Sequence, residues 1–387
     1  MLTALAIENY RSILKLTLPL GPVTVITGPN GSGKSNLYKA LRLLAQAGKG
    51  GVVGALAADG GLDSVFWAGP EKITERMRKG EVPVQGGPRS RVKRLRLGFA
   101  GTEYGYALSV GMPEPVPRSV FNLDPEIKRE IIWHGEVCRP ATQLVVRSGP
   151  LVRARQDRSW KVVAQHLAGF DSMFDQVADA QSTPEVITVR EKIRRWRFYD
   201  HFRTDRQAPA RQPQLGTRTP VLHHDGRDLA AAIQTIREIG DEAALDAAID
   251  YAFPGARLLV HRHDDGRFFL ELLQEGLLRP LTVAELSDGT LRYILWVAAL
   301  LTPRPPELMV LNEPETSLHP DLFPALGRLI RQAAEHCQVW VVSHAPRLIA
   351  ALEEHPGCCS INLDKSLGET QASNLGMFDA PSWNWPE

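Results

Sequence analysis

Apolar and polar positions alternate in blocks over the first 45 residues. Short apolar runs at 5–7 and 13–16 flank a polar link, and the β-branched run at 23–27 has the composition of a buried strand. A glycine-rich stretch then interrupts the pattern, and leucine recurs at helical spacing over 37–44. The pattern predicts two strands, a third buried strand, a loop and a helix in direct succession.

A second ordered region lies near the end of the chain. Apolar runs at 308–311 and 339–342 flank a helical pattern at 322–335, which predicts strands in a parallel α/β arrangement. Antiparallel hairpins are predicted around 101–102 and around 264–266, where turn residues separate strand-like runs. Residues 126–205 have a mainly helical composition. No stretch sustains three or four heptads, so no coiled-coil arm is expected.

Composition and charge narrow the class of protein. The chain has 387 residues, with 45 Lys and Arg against 44 Asp and Glu, so nucleic acid binding would need a local basic patch. No apolar run approaches the roughly 18 residues that span a bilayer, and the first residues lack the features of a secretory signal. Four cysteines without zinc spacing predict reduced thiols in a cytoplasmic protein.

The strongest motif is a phosphate-binding loop. Residues 28–35 read Gly-Pro-Asn-Gly-Ser-Gly-Lys-Ser, which matches G-x-x-x-x-G-K-[ST] between a predicted strand and a predicted helix. Glycines allow backbone N–H groups to turn towards a phosphate, and the helix N-terminus adds a positive dipole end. Lys34 is expected to reach the β- and γ-phosphates and the Ser35 hydroxyl to ligate Mg²⁺. The motif predicts a nucleotide site.

Three further segments follow this loop along the chain. Leu286-Ser287-Asp288-Gly289-Thr290 precedes a helix, the strand at 308–311 ends in Asn312-Glu313, and the next strand ends in His344. An acid at the end of such a strand stands where a metal or an attacking water is expected. The simpler alternatives are a turn with a helix N-cap for 287–289, a solvated acid for Glu313 and a strand-end histidine for His344.

Together with the opening segment 7–12, these motifs resemble those of the ABC-type ATPases of the RecF/SMC-like group, which includes OLD-like ATPase heads. The resemblance covers about 1–45 and 280–355. It implies ATP and Mg²⁺ as cofactors. It also implies the following site residues: Asn30, Gly31, Ser32, Gly33, Lys34, Ser35, Asn36 and Arg11 for nucleotide binding; Glu313, His344 and Lys34 for catalysis; Ser287, Asp288, Gly289 and Thr290 as the signature; Ser317, Leu318 and His319 as the D-loop; and Ser35 with Asn312 for the metal.

The fold implied by the resemblance is α/β, a P-loop ATPase fold with a mainly parallel core sheet, an antiparallel β subdomain and a helical insertion. The expected parts are an N-terminal lobe at 1–125, a mainly helical insertion at 126–256 and a C-terminal lobe at 257–387. Only 43 residues follow His344, so an ATPase head without the nuclease of OLD relatives is expected. A transporter subunit is disfavoured, because 252 residues separate Lys34 from Leu286.

Asn312 departs from the family pattern, which has Asp at this position. An amide keeps an oxygen acceptor but removes a negative charge beside a divalent cation. Hydrolysis by Glu313 is therefore expected to be slow.

The resemblance also implies partners. In such ATPases the signature of one subunit caps the nucleotide of another, which predicts an ATP-dependent homodimer enclosing two ATP molecules. DNA is the expected ligand, in repair, recombination or genome defence, and the alternative is an ATP switch acting on a protein effector. Basic clusters at 72–96 and 190–197 are candidate DNA contacts, although a solvated face would have the same composition; the chosen candidates are Arg91, Lys93, Arg94 and Arg96.

Two histidine-rich stretches, 223–225 and 261–264, invite a metal interpretation. Both lie beside Asp-Gly turn signals, and they are interpreted as loops.

Overall fold

A computed structural model of the chain describes residues 1–86, 92–157, 159–177, 179–376 and 379–386. The chain forms two compact units. The first unit comprises Met1–Gly21, Thr27–Arg195 and Ile361–Glu387, and the second comprises Pro22–Ile26 and Trp196–Ser360.

Strands and helices alternate irregularly along the chain. The strands are β1 Leu2–Tyr10, β2 Ile13–Pro19, β3 Val23–Thr27, β4 Leu95–Gly101, β5 Tyr104–Gly111, β6 Glu126–His134, β7 Gln143–Ser148, β8 Leu151–Gln156, β9 Ser159–Ala164, β10 Arg197–Tyr199, β11 Gln214–Leu215, β12 Arg257–Arg262, β13 Arg267–Leu273, β14 Leu281–Thr282, β15 Leu308–Asn312, β16 Gln338–Val342, β17 Cys358–Ser366 and β18 Glu369–Ala372. The helices are α1 Lys34–Ala47, α2 Val52–Ala58, α3 Leu62–Val65, α4 Glu75–Arg78, α5 Met173–Gln176, α6 Pro184–Arg194, α7 Leu229–Ile239, α8 Glu242–Ala252, α9 Asp288–Leu300, α10 Phe323–Ala333 and α11 Pro346–Glu353, with short 3-10 turns at Pro209–Arg211, Val283–Glu285 and Pro320–Leu322.

The first unit is built on an eight-stranded antiparallel sheet in the order β2-β1-β4-β5-β6-β7-β8-β9. The predicted hairpin around 101–102 is confirmed as β4 and β5, which pair antiparallel. Strands β17 and β18 form an antiparallel hairpin. The largest sheet is thus antiparallel, and the expected mainly parallel arrangement does not apply to this unit.

The prediction of a mainly helical segment from residue 126 is wrong for its first part. The four strands β6 to β9 lie in this part, the first beginning at Glu126 and the last ending at Ala164. The run Glu126-Ile127-Lys128-Arg129-Glu130 has a helix-like composition, but Ile127 and Glu130 are buried in the sheet. Strand preference depends strongly on packing against neighbouring strands, and here this packing overrides local composition. Helix appears only later, in α5 and α6.

A fully buried ion pair joins β6 to β7. Glu130 and Arg147 both have no exposed side-chain surface, and their Oε2 and Nη1 atoms are 2.8 Å apart. Glu130 also accepts hydrogen bonds from the hydroxyls of Tyr106, at 2.7 Å, and Ser172, at 2.6 Å. Arg147 Nη2 donates to the Ala168 carbonyl at 2.8 Å. The ion pair therefore holds the loop that follows β9 against the sheet. Burial also raises the pKa of Tyr106 well above its ordinary value.

The second unit contains four parallel strands in the order β10-β15-β16-β3. Val341 lies opposite Leu311 on one side and Val25 on the other. Strands β3, β15 and β16 are apolar and buried almost throughout, as expected for a parallel sheet covered on both faces. The predicted parallel α/β arrangement is confirmed here.

A smaller antiparallel sheet and a helical layer complete the second unit. Strands β11, β13 and β12 pair in that order, with β14 beside β13, and the predicted hairpin around 264–266 is confirmed as β12 and β13. Helix α9 is the most buried helix of this unit, and Trp296 on it packs edge-on against Phe202, with ring centroids 4.9 Å apart. In the described part of the chain, the longest helix has 14 residues, and none has the length and apolar character needed to cross a bilayer.

We predict that the Glu130 carboxylate is required for stability. Glu130→Gln leaves the buried Arg147 guanidinium without its countercharge, and breaking a buried pair in this way costs about 3–5 kcal/mol. The free energy of unfolding, measured by urea titration with circular dichroism, should fall accordingly.

The matched control is Arg153→Met on β8, where the side chain is exposed and the expected change is about 0.5 kcal/mol or less. The double variant Glu130→Gln/Arg147→Met should recover part of the loss, because it removes the uncompensated charge. A loss below about 1 kcal/mol for Glu130→Gln alone would contradict this account.

Candidate functional site

The loop at 28–35 has the backbone shape of an anion cradle. Gly28, Gly31 and Gly33 have φ values of 135°, 81° and 109°, a region that residues with a Cβ rarely adopt. Lys34 opens helix α1, and its ammonium donates to the carbonyls of Gly28, at 2.6 Å, and Pro29, at 2.8 Å. The loop carbonyls thus bind the Lys34 ammonium close to the N-terminus of α1.

The C-terminal hairpin supports this loop from behind. The Thr370 hydroxyl on β18 is fully buried and donates to the Ser32 carbonyl at 2.9 Å. A Cβ on Gly33 would lie 2.0 Å from Thr370 Oγ1, so only glycine allows this close approach. Thr370 Oγ1 also lies 2.7 Å from Ser12 Oγ, which accepts a hydrogen bond from the Asn36 amide at 2.8 Å. Thr370 and Ser12 were not among the predicted site residues, and only the folded chain brings them to the loop.

The residues of the loop fit a bound polyphosphate and its cation. The Ser32 hydroxyl is buried and has no hydrogen-bond partner among the described residues, so a donor is available inside the loop. Nothing lies within 4 Å of a Cβ built on Gly31, which leaves room beside the backbone there. Ser35 is exposed at the start of α1, and a hydroxyl oxygen is a suitable ligand for Mg²⁺.

Arg11, another predicted nucleotide-binding residue, lies in the turn between β1 and β2. Its backbone has a φ of 49°, and its guanidinium contacts Asp59 at 3.0 Å and the Tyr10 hydroxyl at 3.3 Å. Partial burial disfavours the charged guanidinium, but the hydrogen bonds that it donates to Tyr10 and Asp59 outweigh this effect and raise the pKa of Arg11. Its charge is therefore partly balanced by Asp59.

In the second unit, the predicted catalytic acid and histidine are in contact. Glu313 follows β15 directly, and its N–H donates to the Val342 carbonyl at 2.8 Å. His344 follows β16, and its Nε2 lies 3.0 Å from Glu313 Oε1. Asn312 is opposite Val342 in the parallel register, so the amide, the acid and the histidine stand at one sheet edge. Glu313 has a φ of 50°, a strained conformation for a residue with a long side chain.

Glu315 was missed by the sequence analysis. Its Oε1 accepts hydrogen bonds from the Ser343 hydroxyl at 2.7 Å, the His344 N–H at 2.7 Å and the Ala345 N–H at 3.2 Å. Its Oε2 is buried, with no partner among the described residues. This one carboxylate therefore binds the start of the loop that carries His344. The only signal in the sequence was a second acid two residues after Glu313.

The predicted signature lies at the N-terminus of α9. Ser287 caps this helix, accepting a hydrogen bond from the Thr290 N–H at 3.1 Å. A Cβ on Gly289 would lie 3.3 Å from the Ser317 carbonyl, so the signature and the predicted D-loop are neighbours. Ser317 has a φ of 61°. The helix-cap alternative is thus correct as local structure, and it leaves Ser287 and Asp288 exposed at the protein surface.

Two buried arginines that the sequence did not single out hold this region. Arg211 contacts Asp288 at 2.9 Å and donates to the Leu286 carbonyl at 3.0 Å. Arg292, within α9, donates to the Thr316 carbonyl at 2.6 Å. Burial lowers the pKa of Arg292 from its ordinary value. The two arginines connect the signature to the loop at Pro209–Arg211 and to the D-loop.

The remaining D-loop residues have structural contacts. Leu318 is buried at 7% exposure, and His319 caps the 3-10 turn that follows, with its Nδ1 accepting from the Asp321 N–H at 3.4 Å.

The candidate DNA residues of 91–96 are placed only in part. Arg91 lies outside the described residues. The first strand of the predicted hairpin, β4, begins at Leu95, so that Lys93 and Arg94 precede it. Lys93 lies 4.4 Å from the centroid of the Phe66 ring, and Arg96 pairs with Glu8 at 3.5 Å. Arg94 lines the same groove as Lys93 and Arg96. In the second cluster, Lys192 pairs with Glu103, Arg190 with Glu191, and Arg194 donates to a main-chain carbonyl.

The stretch His223–Asp225 lies in a loop before α7, as predicted. One ligand-type atom from each of its three residues falls within 4.8 Å of the others. His223 Nδ1 is hydrogen-bonded to Asp225 Oδ1 at 2.6 Å, and Asp225 accepts the Arg227 N–H at 3.1 Å. These bonds account for the turn without a metal.

Comparison with known proteins adds a family match. The model of the family described as "AAA domain, putative AbiEii toxin, Type IV TA system" matches residues 23–131 and 159–350, well over half of the chain. A 44-residue stretch is 46% identical to the OLD nuclease of Thermus scotoductus. That stretch is 11% of this chain and 8% of the OLD nuclease, so it spans only a small part of that relative.

One solved structure supports the α/β fold, and a second is similar at a lower score. The chain is similar to the SmcHead bound to the C-winged helix domain of ScpA, with a TM-score of 0.50 and 13% identity over 97% of this chain and 98% of that one. The SMC head domain from Thermotoga maritima aligns with a TM-score of 0.43 and 14% identity, over 97% and 99% of the two chains. At 13–14% identity, the similarity is evidence for a shared α/β fold and for nothing further. The expected resemblance to RecF/SMC/OLD-type ATPases is confirmed.

Proposed function

The chain belongs to this AAA-domain family, and from that premise we propose that it binds and hydrolyses ATP and acts on DNA as an ATP-dependent homodimer. The observation that carries the proposal is the register of the parallel sheet. Strand β3 leads into the loop at 28–35, while β15 and β16 lead into Glu313 and His344. Because the carboxyl ends of parallel strands share one edge, we infer that all three segments contribute to one nucleotide site.

The proposed roles follow from the chemistry of each group. Lys34 and the N–H groups of the loop bind the phosphates, and Ser35 and Asn312 offer oxygen ligands to Mg²⁺, which supplies charge neutralisation at the phosphates. Glu313 orients the attacking water and accepts its hydrogen bond. His344, 3.0 Å from Glu313, fixes the orientation of that carboxylate and contacts the γ-phosphate.

Dimerisation is proposed because the signature is presented outward. Ser287 and Asp288 are exposed at the N-terminus of α9, where N–H groups and the helix dipole favour an anion. A second copy of the chain would bring these groups to a bound γ-phosphate. Each nucleotide would then be enclosed by the phosphate-binding loop, Glu313 and His344 of one subunit and by the signature of its partner.

The DNA role and its alternative need separate tests. The short match to an OLD nuclease supports DNA, while the toxin–antitoxin description of the family supports a switch that controls a protein effector. We therefore propose measuring phosphate release by the full chain with no DNA, with single-stranded DNA and with duplex DNA. Stimulation by DNA supports the first role, and hydrolysis that is indifferent to both DNA forms supports the second.

We predict that ATP drives dimerisation. Glu313→Gln should bind Mg·ATP but hydrolyse it poorly, so that light scattering reports a dimer of this variant. Adding Ser287→Arg should abolish the dimer, because a long cation replaces the cap that faces the partner's phosphate.

Thr217→Arg, an exposed loop position of the same unit, serves as the matched control and should leave the dimer intact. If Glu313→Gln stays monomeric while it demonstrably binds ATP, the composite-site proposal is wrong.

We predict that Asn312 makes hydrolysis slow and its Mg²⁺ requirement high. Asn312→Asp restores a charge-assisted contact worth roughly 1.5–3 kcal/mol, or about tenfold to hundredfold in affinity or rate. Calorimetric titration of Mg·ATP and the Mg²⁺ dependence of turnover should both shift in the Asp variant.

An Asp variant that matches the wild type in both measurements would mean that Asn312 does not act on the cation.

We predict that Glu315 positions His344. Glu315→Ala removes the acceptor of three donors, and unsatisfied donors cost about 1–3 kcal/mol each, which is enough to release the loop. Turnover should fall about tenfold or more, while ATP affinity stays within about threefold of the wild type.

Glu315→Gln retains an acceptor oxygen and should lose less activity than Glu315→Ala. Equal losses in both variants, or a parallel loss of ATP affinity, would contradict a positioning role.

A further inference from the structure

A basic groove of about 600 Å³ crosses the first unit beside the start of β4. Among the described residues that line it, six are basic and two, Glu8 and Glu71, are acidic. The basic residues come from β2, from the segment around α4 and from the approach to β4; they are Lys15, Lys72, Arg78, Lys93, Arg94 and Arg96. In a chain whose formal net charge is +1, this is a strong local concentration of positive charge.

Two tryptophans of the C-terminal segment form one wall of the groove. Trp383 and Trp385 pack edge to face, with ring centroids 5.3 Å apart. Trp383 packs in the same way on Trp133, which is fully buried in β6, at 5.7 Å. The indoles are therefore anchored to the antiparallel sheet, and the aromatic surface is held in place before any ligand arrives.

The groove continues past Trp385. A second cavity of about 280 Å³ shares Trp385, Arg94 and Arg96 with the first and adds Arg129. The Arg96 guanidinium lies 6.0 Å from the centroid of the Trp385 ring. The two cavities thus share one aromatic ring and the cations beside it.

This combination selects the chemistry of the ligand. A row of cations binds a chain of phosphates, and aromatic side chains beside it bind unstacked bases through their faces. A duplex keeps its bases stacked inside, where an aromatic side chain cannot bind their faces. We propose that the groove binds single-stranded nucleic acid, with Trp385 stacking on a base and Lys15 and Lys72 contacting phosphates. The inference rests on the proposed action on DNA and specifies its strandedness and its location.

Substitutions of Lys15 and Lys72 test the contribution of the groove's positive charge most directly. Arg96 and Arg78 already contact Glu8 and Glu369, so their replacement would also disturb the fold. Lys15 and Lys72 are both exposed, and reversing their charge leaves the packing intact. Trp385→Phe keeps an aromatic face, whereas Trp385→Ala removes it.

Strands β8 and β9 of the same unit offer a matched control surface. Arg153, Lys161 and Trp160 are all exposed there, and the Arg153 guanidinium lies 5.9 Å from the Trp160 ring centroid. The controls are Arg153→Glu/Lys161→Glu and Trp160→Ala, with the same changes in charge and aromatic content as in the groove variants.

The experiment measures fluorescence anisotropy of labelled oligothymidine with the full chain, over a range of salt concentrations. Parallel arms use single-stranded RNA, a DNA duplex and free thymidine monophosphate. Lys15→Glu/Lys72→Glu should weaken oligothymidine binding at least tenfold and make the dependence of log affinity on log salt shallower by about 1.4, since each lost phosphate contact removes about 0.7. Trp385→Ala should weaken binding about 5- to 150-fold, and Trp385→Phe much less.

The outcomes separate this inference from the proposed function. The groove assignment would be overturned if the duplex bound more tightly than the single strand, or if the monophosphate bound as tightly as the oligonucleotide. It would also be overturned if the β8–β9 controls lost as much affinity as the groove variants, or if Trp385→Ala and Lys15→Glu/Lys72→Glu kept full affinity. Binding of RNA as tight as that of DNA would support the groove but not DNA as its ligand. ATP binding, measured on the same samples, should be unchanged in the groove variants; its absence in the wild type would refute the proposed ATPase and leave the groove standing.

Discussion

The parallel register of β15, β16 and β3 is the constraint on which the candidate site depends. With Val341 between Leu311 and Val25, the strands of the second unit keep one register, and the residues that follow β15 and β16, Glu313 and His344, are brought to one edge. A shift of the register by one residue would reverse the faces of the side chains and separate Glu313 from His344. The apolar, fully buried strands fix this register, so the packing of the second unit determines the geometry of its polar groups.

Polar contacts made across long stretches of sequence then refine that geometry. Glu315 binds the backbone 30 residues later at Ala345, and Thr370 reaches the loop at Ser32 from 338 residues away. Each contact joins a loop with little regular structure to a strand end or a hairpin. The positive φ of Glu313 and of Ser317 is sustained in the same way, because the surrounding hydrogen bonds and packing impose conformations that the isolated residues would avoid.

The sequence predicted what local patterns encode. The strand–loop–helix around Lys34 and the two hairpins followed from local patterns, and the structure contains them. Motifs and their order also selected Glu313 and His344, and the structure adds that their side chains are 3.0 Å apart. The strands at 126–164 were not predicted, because a run rich in Lys, Arg and Glu resembles a helix unless the burial of Glu130 against Arg147 is known. The roles of Thr370, Arg211 and Arg292 were not predicted either, because the residues that they contact lie far away along the chain.

Strand β18 shows how closely the elements of the first unit are connected. Thr370 contacts the phosphate-binding loop, and the preceding residue, Glu369, is buried and pairs with Arg78 at 2.6 Å. Arg78 also lines the basic groove. Two adjacent residues of one strand thus contact the loop and a wall of the groove. A displacement of the loop that moves Thr370 must either carry Glu369 with it or break the partly buried, charge-assisted hydrogen bond from Arg78 to Glu369. Breaking that bond costs more than losing a typical hydrogen bond between neutral groups.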